Sequence, residues 1–297
     1  MKNSILVTGA HRSGTTWTGR VIAKAKNVRY VQEPFNVQQA GRNSPLKYWY
    51  EYMPGTSEPH QEAIRNYLLS YFKKDYTTTL DNLKQVDSLL GGYAYAKDLL
   101  LRNTTERTLI KDPIALMSAE WIYQLFTWQT VVLIRHPAAF TASLKIKGWK
   151  FNFNHLHLQP ALIEQYFPEY ADRIALFARE SQHIVEQGIL LWNITSEVVL
   201  QLKKKYLTEW YFARHEDLSR QPELEFSKMY QFLGLPFDNN VKRYLTKTTT
   251  TKEASEWKRD AIQNIKTWKY RLTPEEIERV KIGTQEVWQH FYTESDW

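Results

Sequence analysis

Cysteine is absent from the whole 297-residue chain. That excludes disulfides, thiolate metal sites and a cysteine nucleophile, and it fits a reducing compartment. No apolar run approaches the ~18 residues that a membrane span needs. Only Met1, Lys2, Asn3 and Ser4 precede the first motif, so no room is left for a signal peptide and a cytoplasmic location is expected. Internal repeats are lacking, and low complexity is confined to the four threonines at 248–251.

What is present is the composition of a folded chain, 43% hydrophobic and 24% charged, at a length that supports a large buried core. Net charge is +7, and it is unevenly placed. Residues 242–271 hold nine Lys/Arg against three Asp/Glu. Such a stretch suits an anionic partner (phosphate, nucleotide, nucleic acid or lipid surface), a solvated face being the plainer alternative. Aromatic residues make up 14%, with 11 Trp and 18 Tyr, so many must line a core or a pocket.

Short apolar or β-branched runs at 4–9 (SILVTG), 28–33 (VRYVQE), 107–111 (RTLIK), 130–135 (TVVLIR) and 209–214 (EWYFAR) read as five strands. Helical patterns at 15–26, 57–72, 117–127, 137–147, 161–206 and 273–291 lie between and after them. Thr273, Pro274 and Glu276 form a capping box with proline at the first helical position. Residues 36–57 have no period and read as an irregular lid, and 151–160 as an aromatic, His-containing loop. Short strands alternating with helices predict an α/β fold, a three-layer α/β/α arrangement around a mainly parallel sheet. Ligands of such sheets sit beyond the carboxyl ends of the strands. The expected strands end there in Gly9, Glu33, Lys111, Arg135 and Arg214, which are expected to converge.

The sharpest motif is GAHRSGTT at 9–16, between a strand and a helix. Its G-x-x-x-x-G spacing followed by Thr15 and Thr16 is that of a phosphate-binding loop, where backbone N–H groups face an anion at a helix N-terminus. A nucleotide-triphosphatase loop has Lys at the place of Thr15. Here the one cation of the loop is Arg12.

The segment HRSGTTW at 11–17 resembles the 5′-phosphosulfate loop of sulfotransferases that use 3′-phosphoadenosine 5′-phosphosulfate (PAPS). Arg135 and Ser143, eight residues apart at a strand-to-helix junction, resemble that family's 3′-phosphate motif, and Lys147 lies one helical turn beyond Ser143. RHEDL at 214–218 with FLGLP at 232–236 is similar to a further stretch of the family, His215 standing where relatives have a Tyr that contacts adenine. Trp257, Lys258, Arg259, Trp268 and Lys269 resemble the segment that folds over the donor. The resemblance implies a P-loop-like fold, with the chain as one sulfotransferase domain, 1–297, carrying an acceptor-side insertion at about 36–106. It implies donor contacts from His11, Arg12, Ser13, Gly14, Thr15, Thr16 and Trp17 in the loop, and from Arg135, Ser143, Lys147, His215, Trp257, Lys258 and Arg259 elsewhere. PAPS is then the donor and its 3′,5′-bisphosphate (PAP) the product, with no metal needed and no carboxylate cluster for magnesium in view.

For the reaction itself the expected residues are Arg12 on the leaving phosphate, Lys111 as a second cation, and Glu33, followed by Pro34, as general base. Glu33 as a structural ion pair is the rival reading. Asp112 is the second candidate base, with a turn-capping role as its rival. His155 and His157 form an H-x-H pair without a third ligand in view, and His11 and His136 flank the donor motifs as positioning groups. Tyr48, Trp49, Tyr50 and Trp149 can form an acceptor pocket or pack a lid on the core. The acceptor is expected to be a hydroxyl, less readily an amine, of a small metabolite or saccharide. A phosphate-loop kinase or nucleotidase and a nucleic-acid-binding module are the alternatives, and oligomeric state is not legible.

Overall fold

The computed structural model describes residues 4–38, 44–72, 107–249 and 265–297. Five strands form one sheet: β1 (Ile5–Gly9), β2 (Val28–Gln32), β3 (Arg107–Lys111), β4 (Gln129–Ile134) and β5 (Tyr211–Arg214). Their order is β2-β3-β1-β4-β5, and every neighbouring pair is parallel. All five residues of β1 are buried, as a central strand covered on both faces requires. Alternate side chains feed two cores. Leu6, Ile110 and Val132 join one apolar cluster, while Ile5, Val7, Leu109, Val131 and Leu133 join another. That period of two makes the layered α/β/α arrangement, with a helix-bearing core on each face.

The helices that matter for the site are α1 (Thr15–Ile22), α2 (Glu58–Ser70), α3 (Ala119–Phe126), α4 (Pro137–Lys147), α5 (Ile184–Lys205), α6 (His215–Arg220), α7 (Pro222–Leu233), α8 (Asn239–Thr249) and α9 (Pro274–Gly283). Residues of α1, α7 and α8 close the second cluster; residues of α2 and α5 close the first. Because β3 lies on one side of β1 and β4 on the other, the strand order reverses at β1, and the crevice at its carboxyl end is the place where such sheets bind ligands.

The expected strands are present within a residue or two. The helices depart more. The pattern at 161–206 is broken into Pro160–Tyr166, Ala171–Arg179 and Ile184–Lys205; at the first break Pro168 forces Phe167 out of the helical region, to φ −156°, and at the second Glu180 is extended, at φ −124° and ψ 132°. The first helix stops at Ile22, and Asn27 takes a left-handed φ of 63° before β2. The last stops at Gly283, ahead of a separate turn at Gln285–Trp288. Its capping box forms as the sequence predicts.

The described part of 36–57 is irregular apart from one 3-10 turn, Met53–Gly55, yet it is not a loose cover. Leu46, Trp49, Tyr50 and Met53 are buried in the first core. Buried Glu51 accepts from the N–H groups of Lys47 at 2.6 Å and Tyr48 at 3.2 Å, and meets His60 at 2.7 Å. Residues 39–43 and 73–106 of the expected insertion lie outside the described residues. Among the described residues no helix is long and apolar enough to cross a membrane.

Candidate active site

From Gly9 the chain turns through Ala10 to Gly14 into α1. Gly9 has φ 134°, and a Cβ there would stand 2.1 Å from the carbonyl oxygen of Leu133 on β4. Gly14 has φ 95°, and its Cβ would stand 2.4 Å from Nδ1 of His215. Both positions require glycine. Ser13 closes the turn, donating to the Ala10 carbonyl from its N–H at 3.2 Å and from Oγ at 2.5 Å. Its hydroxyl is therefore engaged within the loop. α1 then opens with no side-chain cap and no acidic residue in its first turn. Its N-terminal N–H groups and the positive end of its dipole form an anion-binding seat beyond β1. Thr15 is buried and Thr16 half-buried at that end.

Arg12, at the tip, is a non-glycine residue at φ 65°, a conformation that costs roughly 1–2 kcal/mol. Two groups after β4 hold it. Arg135 Nη1 donates to the Arg12 carbonyl at 2.9 Å, and Arg12 Nε donates to Ser143 Oγ at 2.9 Å. The Arg12 guanidinium also lies 6.0 Å from the Trp149 ring centre. The loop motif and the Arg-to-Ser motif thus meet in one place. Lys147 is exposed on the same helix as Ser143, one turn on.

The turn that carries Arg135 is anchored from behind. Its carbonyl accepts from Trp192 Nε1 at 2.8 Å, and the N–H of His136 donates to Glu216 Oε1 at 3.0 Å. The His136 ring stacks on Trp268 with 5.1 Å between centres and 10° between planes. Burial, opposed by Asp296, draws the His136 pKa down to about 3. His11 is equally neutral: burial, with Arg12 beside it, lowers its pKa to about 3. The Tyr50 hydroxyl accepts from the His11 N–H at 3.1 Å and shares a second hydrogen bond of 2.6 Å with His11 Nδ1. Neither imidazole supplies charge near neutral pH.

On the other side of β1, Lys111 ends β3 and Glu33 follows β2. The buried Lys111 ammonium pairs directly with Glu33 Oε1. Glu33 has φ 46°, donates its N–H to the Lys111 carbonyl at 2.8 Å, and accepts from Asn36 Nδ2 at 3.0 Å. The expected second cation and the expected base are therefore each other's partner. Asp112, fully buried, accepts from the N–H of Phe35 at 2.5 Å and of Ile114 at 3.0 Å. Burial pushes its pKa up to about 7 against those N–H groups, with Glu33 adding to the rise. Both of its oxygens cap backbone, the rival role that the sequence allows.

His215, the first residue of α6, lies against Gly14 and meets the Trp17 ring edge-on at 5.9 Å. Trp17 Nε1 donates to Thr248 Oγ1 at 3.2 Å. Trp257, Lys258 and Arg259 lie outside the described residues. Trp268 is buried on His136, behind Arg135, and Lys269 donates to the Trp297 carbonyl at 2.6 Å. Arg214 does not join the cluster. Its guanidinium grips Asp217 with two bonds of 2.7 Å and reaches Asp296 at 3.4 Å. In the basic stretch, Lys242, Arg243 and Lys247 share one face of α8 with Asn239 and Thr246, around a shallow groove of about 780 Å³; Lys242 pairs there with Glu223 at 3.0 Å.

Trp49 and Tyr50 are buried around His11, and Trp149, half-buried, meets the same imidazole at 5.0 Å. The first two pack the core, while Trp149 and Tyr48 keep partial exposure. His155 Nδ1 accepts from the Trp49 N–H at 3.3 Å and burial lowers its pKa; His157 is exposed. Among the described residues no group of three His, Cys, Asp or Glu is placed to hold a metal ion. Sequence reasoning did not single out Tyr50's grip on His11, Trp192 or Glu216. Of these only Glu216 sits in a recognisable stretch, RHEDL; the others carry no local signal.

The sequence profile described as the sulfotransferase family matches residues 4–239. No curated protein sequence matches the chain. Among solved structures, a sulfotransferase domain from the curacin biosynthetic pathway is similar at 14% identity and a TM-score of 0.50, covering 96% of this chain and 98% of that one. A mouse sulfotransferase complexed with PAP is similar at 10% identity and a TM-score of 0.51, covering 100% of this chain and 88% of that one. At such identities the likeness is one of fold.

Proposed function

The chain belongs to the sulfotransferase family, and on that premise we propose that it moves a sulfuryl group from PAPS to a hydroxyl of a small metabolite or carbohydrate. The observation that carries this reading is the meeting of Arg12, Arg135 and Ser143 beside an uncapped helix N-terminus. A nucleotide with phosphate at both its 5′ and 3′ positions needs two anion seats, and this arrangement offers them side by side. The similarity in fold to a protein complexed with PAP supports the same donor.

In this reading the chain's work is positioning and electrostatic stabilisation of an in-line displacement with a loose transition state. The bond from sulfur to the acceptor oxygen forms as the bond from sulfur to the 5′-phosphate breaks. Backbone N–H groups of 14–16 and the hydroxyls of Thr15 and Thr16 hold that phosphate, the Ser13 N–H being engaged with the Ala10 carbonyl, and Arg12 neutralises its departing oxygen. Arg135 and Ser143 take the 3′-phosphate, with Lys147 within reach. His215 and Trp17 face the nucleotide from α6 and α1. Glu33 receives the acceptor's proton, and Lys111 holds Glu33 in place while adding positive charge near the transferring group. Asp112 sets the β3 exit through its backbone caps. The whole chain acts as one domain, with 36–106 on the acceptor side.

Thermal unfolding with adenosine 3′,5′-bisphosphate against magnesium-ATP and magnesium-GTP tests the donor. A ligand at about 100 times its Kd adds ~2.7 kcal/mol of stability, a rise of several degrees in a chain of this size. A shift with the bisphosphate and no magnesium is expected. A shift confined to magnesium-ATP or magnesium-GTP overturns the reading in favour of phosphoryl transfer.

A further inference from the structure

We infer that Glu216 is a positioning residue for Arg135: with Trp192 it clamps the single peptide unit from which the Arg135 side chain departs. The inference rests on the donor reading above. The Arg135 carbonyl and the His136 N–H belong to one peptide plane. Trp192 Nε1 donates to that carbonyl at 2.8 Å, and Glu216 Oε1 accepts from that N–H at 3.0 Å. A peptide gripped at both of its polar atoms cannot rotate about its flanking bonds without losing one of them. The direction in which Arg135 leaves the end of β4, and its 2.9 Å bond to the Arg12 carbonyl, follow from that grip.

Glu216 is itself held. Only 2% of its surface is exposed, and its second oxygen accepts from the Tyr292 hydroxyl at 3.0 Å. A carboxylate this deeply buried is costly unless its oxygens are satisfied. Here the donors come from two other parts of the chain, the turn after β4 and the C-terminal segment. The positive charge of Arg135 also favours its ionised form, against the burial that raises its pKa. His136 precedes Pro137 and caps α4 without a side-chain bond, so the N–H that Glu216 takes lies at the junction between strand and helix. The two oxygens of Glu216 accept from the His136 N–H and the Tyr292 hydroxyl, and in this inference it acts through Arg135.

The test is calorimetric binding of adenosine 3′,5′-bisphosphate and of adenosine 5′-monophosphate, which lacks the 3′-phosphate. Glu216→Ala is expected to weaken the bisphosphate about ten-fold, the scale of a misaligned binding group, and the monophosphate much less, by about two-fold at most, through the Arg135 bond to the Arg12 carbonyl. Glu216→Gln keeps an acceptor for the His136 N–H and is expected to bind within about three-fold of the wild type. Equal losses for the two nucleotides, or no loss with Glu216→Ala, overturn the inference. So does a Glu216→Gln variant as weak as Glu216→Ala, since charge rather than the grip on the peptide would then be at work. If Glu216→Ala does not fold, Tyr292→Phe frees one carboxylate oxygen. A loss of about two- to three-fold for the bisphosphate, larger than that for the monophosphate, supports the inference, and an unchanged affinity or an equal loss for the two overturns it. A wild-type chain that binds neither nucleotide overturns the donor reading itself, and this inference with it.

Discussion

Arg12 and Ser143 are 131 residues apart in the chain and share a hydrogen bond of 2.9 Å, from Nε–H to Oγ. The bond ties the loop after β1 to the helix after β4, and the parallel register brings them together: Gly9 lies opposite Leu133, two residues before Arg135. One sheet pairing thus places the glycine loop and the Arg135–Ser143 motif at the same crevice.

Arg12 offers a way to part function from fold. At φ 65° a glycine is more comfortable than arginine, by roughly 1 kcal/mol. The lost bond to Ser143 is worth about the same, ~1 kcal/mol. Arg12→Gly is therefore expected to leave the unfolding midpoint within a few degrees of wild type. Sulfuryl transfer should fall about 10²–10³-fold, as when a charge-stabilising donor is removed. Turnover near the wild-type rate would remove Arg12 from the transfer step.

Glu33 and Lys111 need a variant pair. Lys111 is fully buried and its partner only partly exposed. Glu33→Gln leaves an ammonium without its anion, at a cost on the order of 3 kcal/mol and several degrees of midpoint. Turnover should fall about 10²-fold or more if Glu33 takes the proton. In the double variant Glu33→Gln/Lys111→Met the midpoint should recover while turnover stays low. Turnover that recovers together with the midpoint would make the pair structural and send the search for the base elsewhere.

Asp112 makes a statement about pH. Burial lifts its folded pKa from 3.8 to about 7, so between those values the folded state carries a proton that the unfolded state has released. Stability from this group is full below the unfolded pKa and falls as pH rises toward the folded one. The stability of wild type relative to Asp112→Asn should therefore decline from about pH 4 to about pH 7 and level off above. Urea unfolding of both chains across that range reads it. A flat difference would mean that the carboxylate is as easily ionised folded as unfolded.

Strands were the most legible part of the fold, because each is a short run of β-branched, apolar or aromatic residues ending at a glycine or a charged residue. The turn from β1 into α1 was legible for a related reason: Gly9 and Gly14 stand at positive φ, where a Cβ would meet Leu133 or His215. Helix ends were less so. The pattern at 161–206 is continuously helical in period; Pro168 marks the first of its two breaks, and no proline or glycine marks the second. The candidate site was half legible. Motif spacing finds Arg12, Arg135 and Ser143, but it does not reveal that Arg214, a basic residue closing its own strand, turns to Asp217 and Asp296. Nor does it show that Tyr50, within an aperiodic stretch, reaches His11. Contacts across long sequence separations depend on the packing of whole elements, and no local pattern encodes them.

Gly14 meets two constraints at once, and a double-mutant cycle can separate them. Its φ of 95° penalises any side chain, and a Cβ would also stand 2.4 Å from His215 Nδ1. Gly14→Ala should thus lower stability by about 2 kcal/mol or more, backbone strain and clash combined. His215→Ala removes the clash and leaves the backbone penalty. In a cycle of the two changes, read by urea unfolding, the pair should be more stable than the sum of the single effects by about 1 kcal/mol. Strict additivity would mean that the imidazole swings aside freely and that backbone conformation alone demands glycine. Affinity for adenosine 3′,5′-bisphosphate should follow a different course. It should stay low in the double variant, because the proposed anion seat depends on the direction of the N–H groups at 14–16, which an alanine at that φ disturbs whether or not His215 is present.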